Sequence, residues 1–209
     1  MTGKILLLLK EEKLNPFLIL RDEYTKPIYN ITTLGSSGLL RVSEDIPETR
    51  LKNRFIYNVD SFLDFTNIIE ILGSSGVANS IIVFESYTTI STWIRNAFTD
   101  PYLAISFQSI GNWKLRMFED NLSKMVRRDN LVIFVAHAKY PINPATGELI
   151  PDAKPEPRGI SGILYFSDAE LYLYRDSTTN AVKLKQLLPF EQDFPENLLS
   201  KTPIVYPGE

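Results

Sequence analysis

The chain has 209 residues, is 44% hydrophobic and carries a formal net charge of -3 at pH 7, enough apolar material for one domain with a substantial core and too little chain to demand two. The absence of Cys and the presence of a single His exclude disulfides, thiolate metal sites, cysteine nucleophiles and a histidine-rich metal centre. A pI near 5.4 argues against a protein that coats nucleic acid, because phosphate affinity comes from clustered Lys and Arg; local basic patches stay open.

In chain order, Gly3 to Lys10 reads as a strand or as the first turns of a helix, since periodicity cannot separate the two in so short an apolar run. Ile5 to Leu9, followed by Lys10, Glu11, Glu12 and Lys13, is too short for a signal segment or a membrane span. A soluble, intracellular protein is therefore expected, cytoplasmic or, in a eukaryote, nuclear. Asn15-Pro16 breaks the chain, and Phe17 to Arg21 and Ile28 to Thr32 read as strands. The turn string Leu34-Gly-Ser-Ser-Gly38 returns as Leu72-Gly-Ser-Ser-Gly76, but its flanks do not match and no internal repeat follows.

Phe55 to Val59 predicts a short strand, and Asp60 or Ser61 starts a helix. Its apolar positions Phe62, Phe65, Ile68, Ile69 and Leu72 share one face, and Gly73 is expected to stop it. Ser80-Ile-Ile-Val-Phe-Glu-Ser86 is then the central stretch, a β-branched apolar run that fits a strand buried on both faces of a parallel sheet. A helix with Ile90, Trp93, Ile94 and Ala97 on one face ends at Asp100-Pro101. Another runs from about Asn112 to Arg128, with Leu115, Phe118, Leu122, Met125 and Val126 on one face.

Leu131 to Ala136 repeats the buried-strand design and delivers His137 and Lys139 at its end. Five prolines between Tyr140 and Arg158 mark a long exposed loop. Ile163 to Phe166, Glu170 to Tyr174 and Val182 to Leu188 read as strands. The chain therefore divides into a core over residues 1–188 and a proline-containing tail over 189–209.

Ligands of open parallel sheets bind beyond the carboxyl ends of the strands, which makes Glu85, Ser86 and His137 the candidate site. A carboxylate there suits a hard metal ion such as Mg2+, and a neutral imidazole can donate from one nitrogen and accept at the other. The bland alternatives are a strand end that caps the next helix through Ser86 or Thr88, and a structural His137. Lys114, Arg116, Lys124, Arg127 and Arg128 give one helix a basic bias that suits phosphates or a solvated face.

The order of these segments resembles the RecA-like ATPase core of recombinases, their paralogues and phage recombinase-like ATPases, over roughly residues 17 to 188. The resemblance implies an α/β fold of three layers, a mainly parallel central sheet with helices on both faces. Within it, Ile81-Ile-Val-Phe-Glu-Ser86 looks like the second nucleotide-binding motif, with Glu85 where the family usually has Asp and where a metal ion would be held. Phe134-Val-Ala-His-Ala-Lys139 looks like the strand that ends in a nucleotide-sensing residue, His137. The proline-rich segment falls where the family carries a DNA-binding loop, which makes Lys139, Lys154 and Arg158 candidate DNA contacts beside the basic helix.

No segment matches the phosphate-binding loop Gly-x-x-x-x-Gly-Lys-Ser/Thr. The nearest fragment is Thr2-Gly3-Lys4-Ile5, with Lys4 as the candidate nucleotide contact; Ile5 to Lys13 would then be the helix after the lost loop. The expected function is a non-catalytic RecA-like protein without a cofactor, binding DNA, a recombinase or another ATPase partner as a homo- or hetero-oligomer in recombination, repair or replication. The competing readings are a divergent ATPase using ATP and Mg2+ with Glu85, Ser86 and His137, with Lys4 or Lys26 replacing the missing lysine, and a structural interaction domain.

Overall fold

The computed structural model describes residues 4–11, 26–33, 54–98, 118–150, 153–158 and 167–188. The expected strands at 17–21 and 163–166, the residues Lys114 and Arg116, and the tail 189–209 lie outside them. The apolar runs become strands that order as β3-β2-β4-β5-β1-β7-β8 in one eight-stranded sheet, with the short β6 paired to β5. These are β1 (Lys4–Lys10), β2 (Ile28–Thr32), β3 (Arg54–Asn58), β4 (Ile81–Glu85), β5 (Leu131–Lys139), β6 (Glu156–Pro157), β7 (Ala169–Arg175) and β8 (Val182–Leu188). Neighbours from β3 to β7 run parallel; β8 turns back antiparallel on β7, and β6 on β5.

Side chains alternate between the two faces of each strand, and both faces are buried, which is why β1, β4 and β5 read as unbroken apolar runs. On one face Leu7, Leu9, Phe84, Val132, Phe134 and Ala136 pack with three helices: α1 (Phe62–Ser74), α2 (Tyr87–Phe98) and α3, described over 118–127. Phe84 stacks on Phe134, with ring centroids 5.1 Å apart, and meets Phe65 of α1 edge-on. The other face gathers Leu6, Leu8, Ile81, Val83, Ile133, Val135, Leu171 and Leu173. The mainly parallel α/β sheet with helices is the class that the sequence indicates.

Local signals act where physics requires them. Ser61 caps α1, its hydroxyl accepting the Asp64 N–H at 3.1 Å, an arrangement that satisfies an orphan donor of the first turn. Gly73 does not stop that helix, which runs on to Ser74. Gly73 instead lies against α3, where a Cβ would overlap the Asn121 side chain. Arg128 belongs here too: its Nη1 donates to the Gly73 carbonyl at 3.0 Å, satisfying an acceptor at the helix end.

Asn130 holds the entry to the two central strands. It is wholly buried; Oδ1 accepts the Ser80 N–H at 3.0 Å, and Nδ2 donates to the carbonyls of Val77 at 3.0 Å and Met125 at 2.9 Å. Removing the amide strands one donor and two acceptors in the core, and each buried group left bare costs about 1–3 kcal/mol. Asn130→Ala is therefore expected to lose about 3 kcal/mol in urea unfolding, with the loss read from the midpoint at unchanged slope; a loss below about 1 kcal/mol would contradict this role.

Candidate functional site

From β1 the chain leaves toward β2 and β3 at one side of the sheet, whereas β5 leads to β7 and β8 at the other. This reversal makes the carboxyl ends of β4, β5 and β1 the topological switch point, the place where open α/β sheets form a ligand crevice. Registers align Glu85 with Val135, and His137 with Lys10. Strand alternation directs Lys10, Glu85 and His137 to the face lined by Leu8, Val83 and Val135.

Lys10 faces the candidate carboxylate. Its ammonium lies 3.4 Å from Glu85 Oε1, and the two side chains are only 5% and 2% exposed. Because β5 separates β1 from β4, the lysine spans one strand to reach the carboxylate, its stem crossing apolar surface and its charge meeting the acid. Burial pushes the Glu85 carboxyl above its ordinary value, and the neighbouring Lys10 opposes that rise. The second carboxylate oxygen, Oε2, is buried without a hydrogen-bond partner, as is Asn30 Oδ1 on the adjoining strand.

Ser86 follows a cis peptide bond from Glu85. Its N–H donates to Thr33 Oγ1 at 3.1 Å, its hydroxyl accepts the Thr89 N–H at 3.2 Å, and its carbonyl accepts the Ile90 N–H at 3.1 Å. These bonds cap the first turn of α2. Thr88 Oγ1 accepts the His137 N–H at 3.0 Å, and the His137 carbonyl accepts the Arg158 N–H at 2.7 Å. The main chain at His137 is thereby fixed between α2 and β6, with its ring half-buried.

Lys4 stands at the opposite end of β1, in register with Leu131, about 20 Å from Lys10 at the usual strand rise. The segment imagined as a helix after a lost loop is the strand β1, so its carboxyl end is Lys10 and not Lys4. Lys26 is also at the amino ends, where its ammonium meets Asn79 Oδ1. The sequence carried a sign of Lys10: like Glu85 and His137, it is a polar residue that ends an apolar run.

On the helix side of the same rim, Glu11 continues the pairing of β1 with β7. Its N–H donates to the Leu173 carbonyl at 3.2 Å, and its carboxylate accepts the Arg175 N–H at 3.1 Å. Tyr172 reaches toward it at 3.5 Å and shares a 2.9 Å hydroxyl contact with Tyr140. Burial, then the contact with Tyr140, raises the Tyr172 phenol far above its ordinary value.

The segment after β5 has a defined path. Ile142 bridges Leu149 across a turn, and the chain returns to pair Glu156 and Pro157 with Lys139 and Ala138. Lys139 meets Glu156 at 3.6 Å, and the Lys154 ammonium meets Glu170. Arg158 is exposed, as are Lys124 and Arg127 on α3. Tyr140, Ile142, Leu149 and Ile150 present apolar surface to solvent.

No family model matches the chain, and neither does any curated protein. Among solved structures, a crystal structure of the RadB recombinase is similar, with a TM-score of 0.55 at 16% sequence identity, covering 95% of this chain and 86% of that one. The fold is RecA-like. Glu85, the residue expected to hold Mg2+, already has the Lys10 ammonium facing one of its oxygens. The sequence after β1, residues 11–27, contains no glycine to bring backbone N–H groups onto phosphates. Among the described residues no cluster of three His, Asp or Glu is placed to hold a metal, and no helix is long and apolar enough to cross a membrane.

Breaking a buried ion pair from one side leaves an uncompensated charge, at about 3–5 kcal/mol, whereas replacing both partners by apolar residues is often neutral or stabilising. Glu85→Leu and Lys10→Met are each expected to lose stability on that scale, with Lys10→Met/Glu85→Leu recovering most of it; additive losses in a urea double-mutant cycle would reject the pairing. The pH dependence has a definite sign. A carboxyl raised in the folded state binds its proton more tightly there, so its stabilising contribution is complete below the unfolded value and is lost as pH rises through the folded one. Wild-type stability relative to Glu85→Gln should therefore fall as pH rises from about 4.5; a rise over that range would contradict the shift.

Proposed function

We propose that this chain is a non-catalytic RecA-like protein, an accessory factor in DNA recombination, repair or replication that acts by binding a protein partner. The observation that carries the reading is the buried Lys10–Glu85 pair at the switch point. A Mg2+ ion carrying a triphosphate would have to displace an ammonium already paired with the carboxylate, and the following sequence lacks the glycines that would repay the displacement with phosphate contacts. Ser86 spends its hydroxyl and backbone groups on the start of α2, which favours the capping role over a nucleotide contact.

A protein partner is favoured over DNA by the segment beyond β5. Residues 140–153 contain no Lys or Arg, and Ile142, Leu149 and Ile150 are exposed there. Two of the candidate DNA contacts, Lys139 and Lys154, face Glu156 and Glu170, so the local charge is largely cancelled. The apolar tip suits a hydrophobic pocket better than a phosphate backbone. The shared fold with a recombinase supports the setting in DNA transactions.

Calorimetric titration with ATP and Mg2+ is expected to give no binding at micromolar concentrations, and no phosphate release above buffer. Micromolar binding, with hydrolysis abolished by Glu85→Gln, would establish the ATPase alternative in its place. In a gel shift with single- and double-stranded DNA, no complex is expected near physiological salt. A complex that weakens steeply with added salt would move the proposed partner from protein to nucleic acid.

A further inference from the structure

We propose that Lys10 is a built-in substitute for a metal ion: Glu85 and Asn30 form an oxygen cradle of the kind that holds a small divalent cation, and the Lys10 ammonium supplies the positive charge there. The inference rests on the reading that the crevice is not a working nucleotide site, and extends it to what fills that crevice.

The donor set is the first support. Asn30 pairs with Val83 and Thr32 with Glu85 across β2 and β4, so Asn30 and Glu85 are diagonal neighbours on one face, roughly 7 Å apart at the backbone and within reach of each other's side chains. Both are buried, and each presents an oxygen without a hydrogen-bond partner, Glu85 Oε2 and Asn30 Oδ1. Buried acceptors are ordinarily satisfied. A carboxylate with a side-chain amide oxygen is a hard, all-oxygen set, the preference of Mg2+ and Mn2+, which commonly use one or two carboxylates and complete their shell with water.

The position of the ammonium is the second support. At 3.4 Å from Oε1 it lies beyond the range of about 2.7–2.9 Å that a well-seated charge-assisted bond adopts. It compensates the charge of Glu85 while leaving Oε2 bare. A tethered point charge does part of what a metal ion does: it neutralises the acid but cannot gather ligands from several directions. Shortening Lys10 removes the resident charge and opens the space above Glu85, and the cradle becomes available to a free cation.

The test is a Mn2+ titration, followed by the paramagnetic resonance signal of the free ion, on the full chain. Lys10→Ala should bind Mn2+ at least about tenfold more tightly than wild type, the lower end of what a change in a metal site's surroundings brings. The gain should vanish in Lys10→Ala/Glu85→Gln and shrink in Lys10→Ala/Asn30→Leu. A Lys10→Ala protein that binds no better than wild type, or a gain that survives Glu85→Gln, overturns the proposal. If Lys10→Ala does not fold, Lys10→Ser is read in the same way. If neither folds alone, Glu85-dependent recovery of the native circular dichroism spectrum on adding Mn2+ supports the cradle, and failure to recover rejects it. Failure here leaves the non-catalytic reading standing, whereas ATP binding by the wild-type chain removes that reading independently of Mn2+.

Discussion

An ammonium and a carboxylate, both almost wholly removed from water, meet across the middle strand of a parallel sheet, and much of the architecture around them exists to make that meeting possible. Lys10 can reach Glu85 only because β5 separates β1 from β4 by a single strand, and because all three strands present the right parity at their carboxyl ends. Desolvating two charges is costly, and their attraction repays it only when geometry is favourable and the remaining oxygens are satisfied. Here one oxygen is paired and the other is bare. The pair is thus better understood as mutual charge compensation in a dry site than as a source of stability.

The same sheet explains how the fold holds together independently of the groups at its carboxyl rim. The strands are held by apolar packing on both faces, by Phe84, Phe134 and Phe65 on the helix side and by Leu8, Val83 and Val135 on the other. None of that packing requires a phosphate loop. Polar groups at the strand entries, Asn130 above all, complete the framework at the end away from the crevice. Change at the carboxyl rim is therefore possible without loss of the core. Glu11 illustrates it, since it extends β1 along β7 at the point where the chain would otherwise leave the sheet.

Sequence carried the interior of the fold well and its rim poorly, for physical reasons. β4 and β5 are legible because burial on both faces forces continuous apolar runs, and the start of α1 is legible to within Asp60 or Ser61 because a polar side chain before an apolar-periodic stretch suits a cap; the structure places the cap at Ser61. β1 was ambiguous, because an apolar run of five residues suits a strand and a helix alike; only its pairing with β5 and β7 settles it. Matching Thr2-Gly3-Lys4-Ile5 to a phosphate loop implies a helix after it, whereas the segment is a strand with Lys4 at its amino end. Gly73 reads locally as a stop signal, whereas it lies against Asn121, a long-range constraint that no local window contains. Arg128 was grouped with a basic face although its guanidinium serves the end of α1. Lys10 escaped because a lysine after a strand usually reaches solvent, and only the register shows that it lies two strands from an acid on the same face.

The central claim is that Lys10, and not a metal–nucleotide complex, is the partner of Glu85. The most direct measurement is nitrogen-15 correlation spectroscopy of the lysine ammonium groups near neutral pH, before and after a large excess of ATP and Mg2+. A buried, paired ammonium exchanges its protons slowly. One protected signal is therefore predicted, absent in Lys10→Met, perturbed by Glu85→Gln and unmoved by the nucleotide. The absence of any protected signal, or its collapse when ATP and Mg2+ are added, would contradict the account.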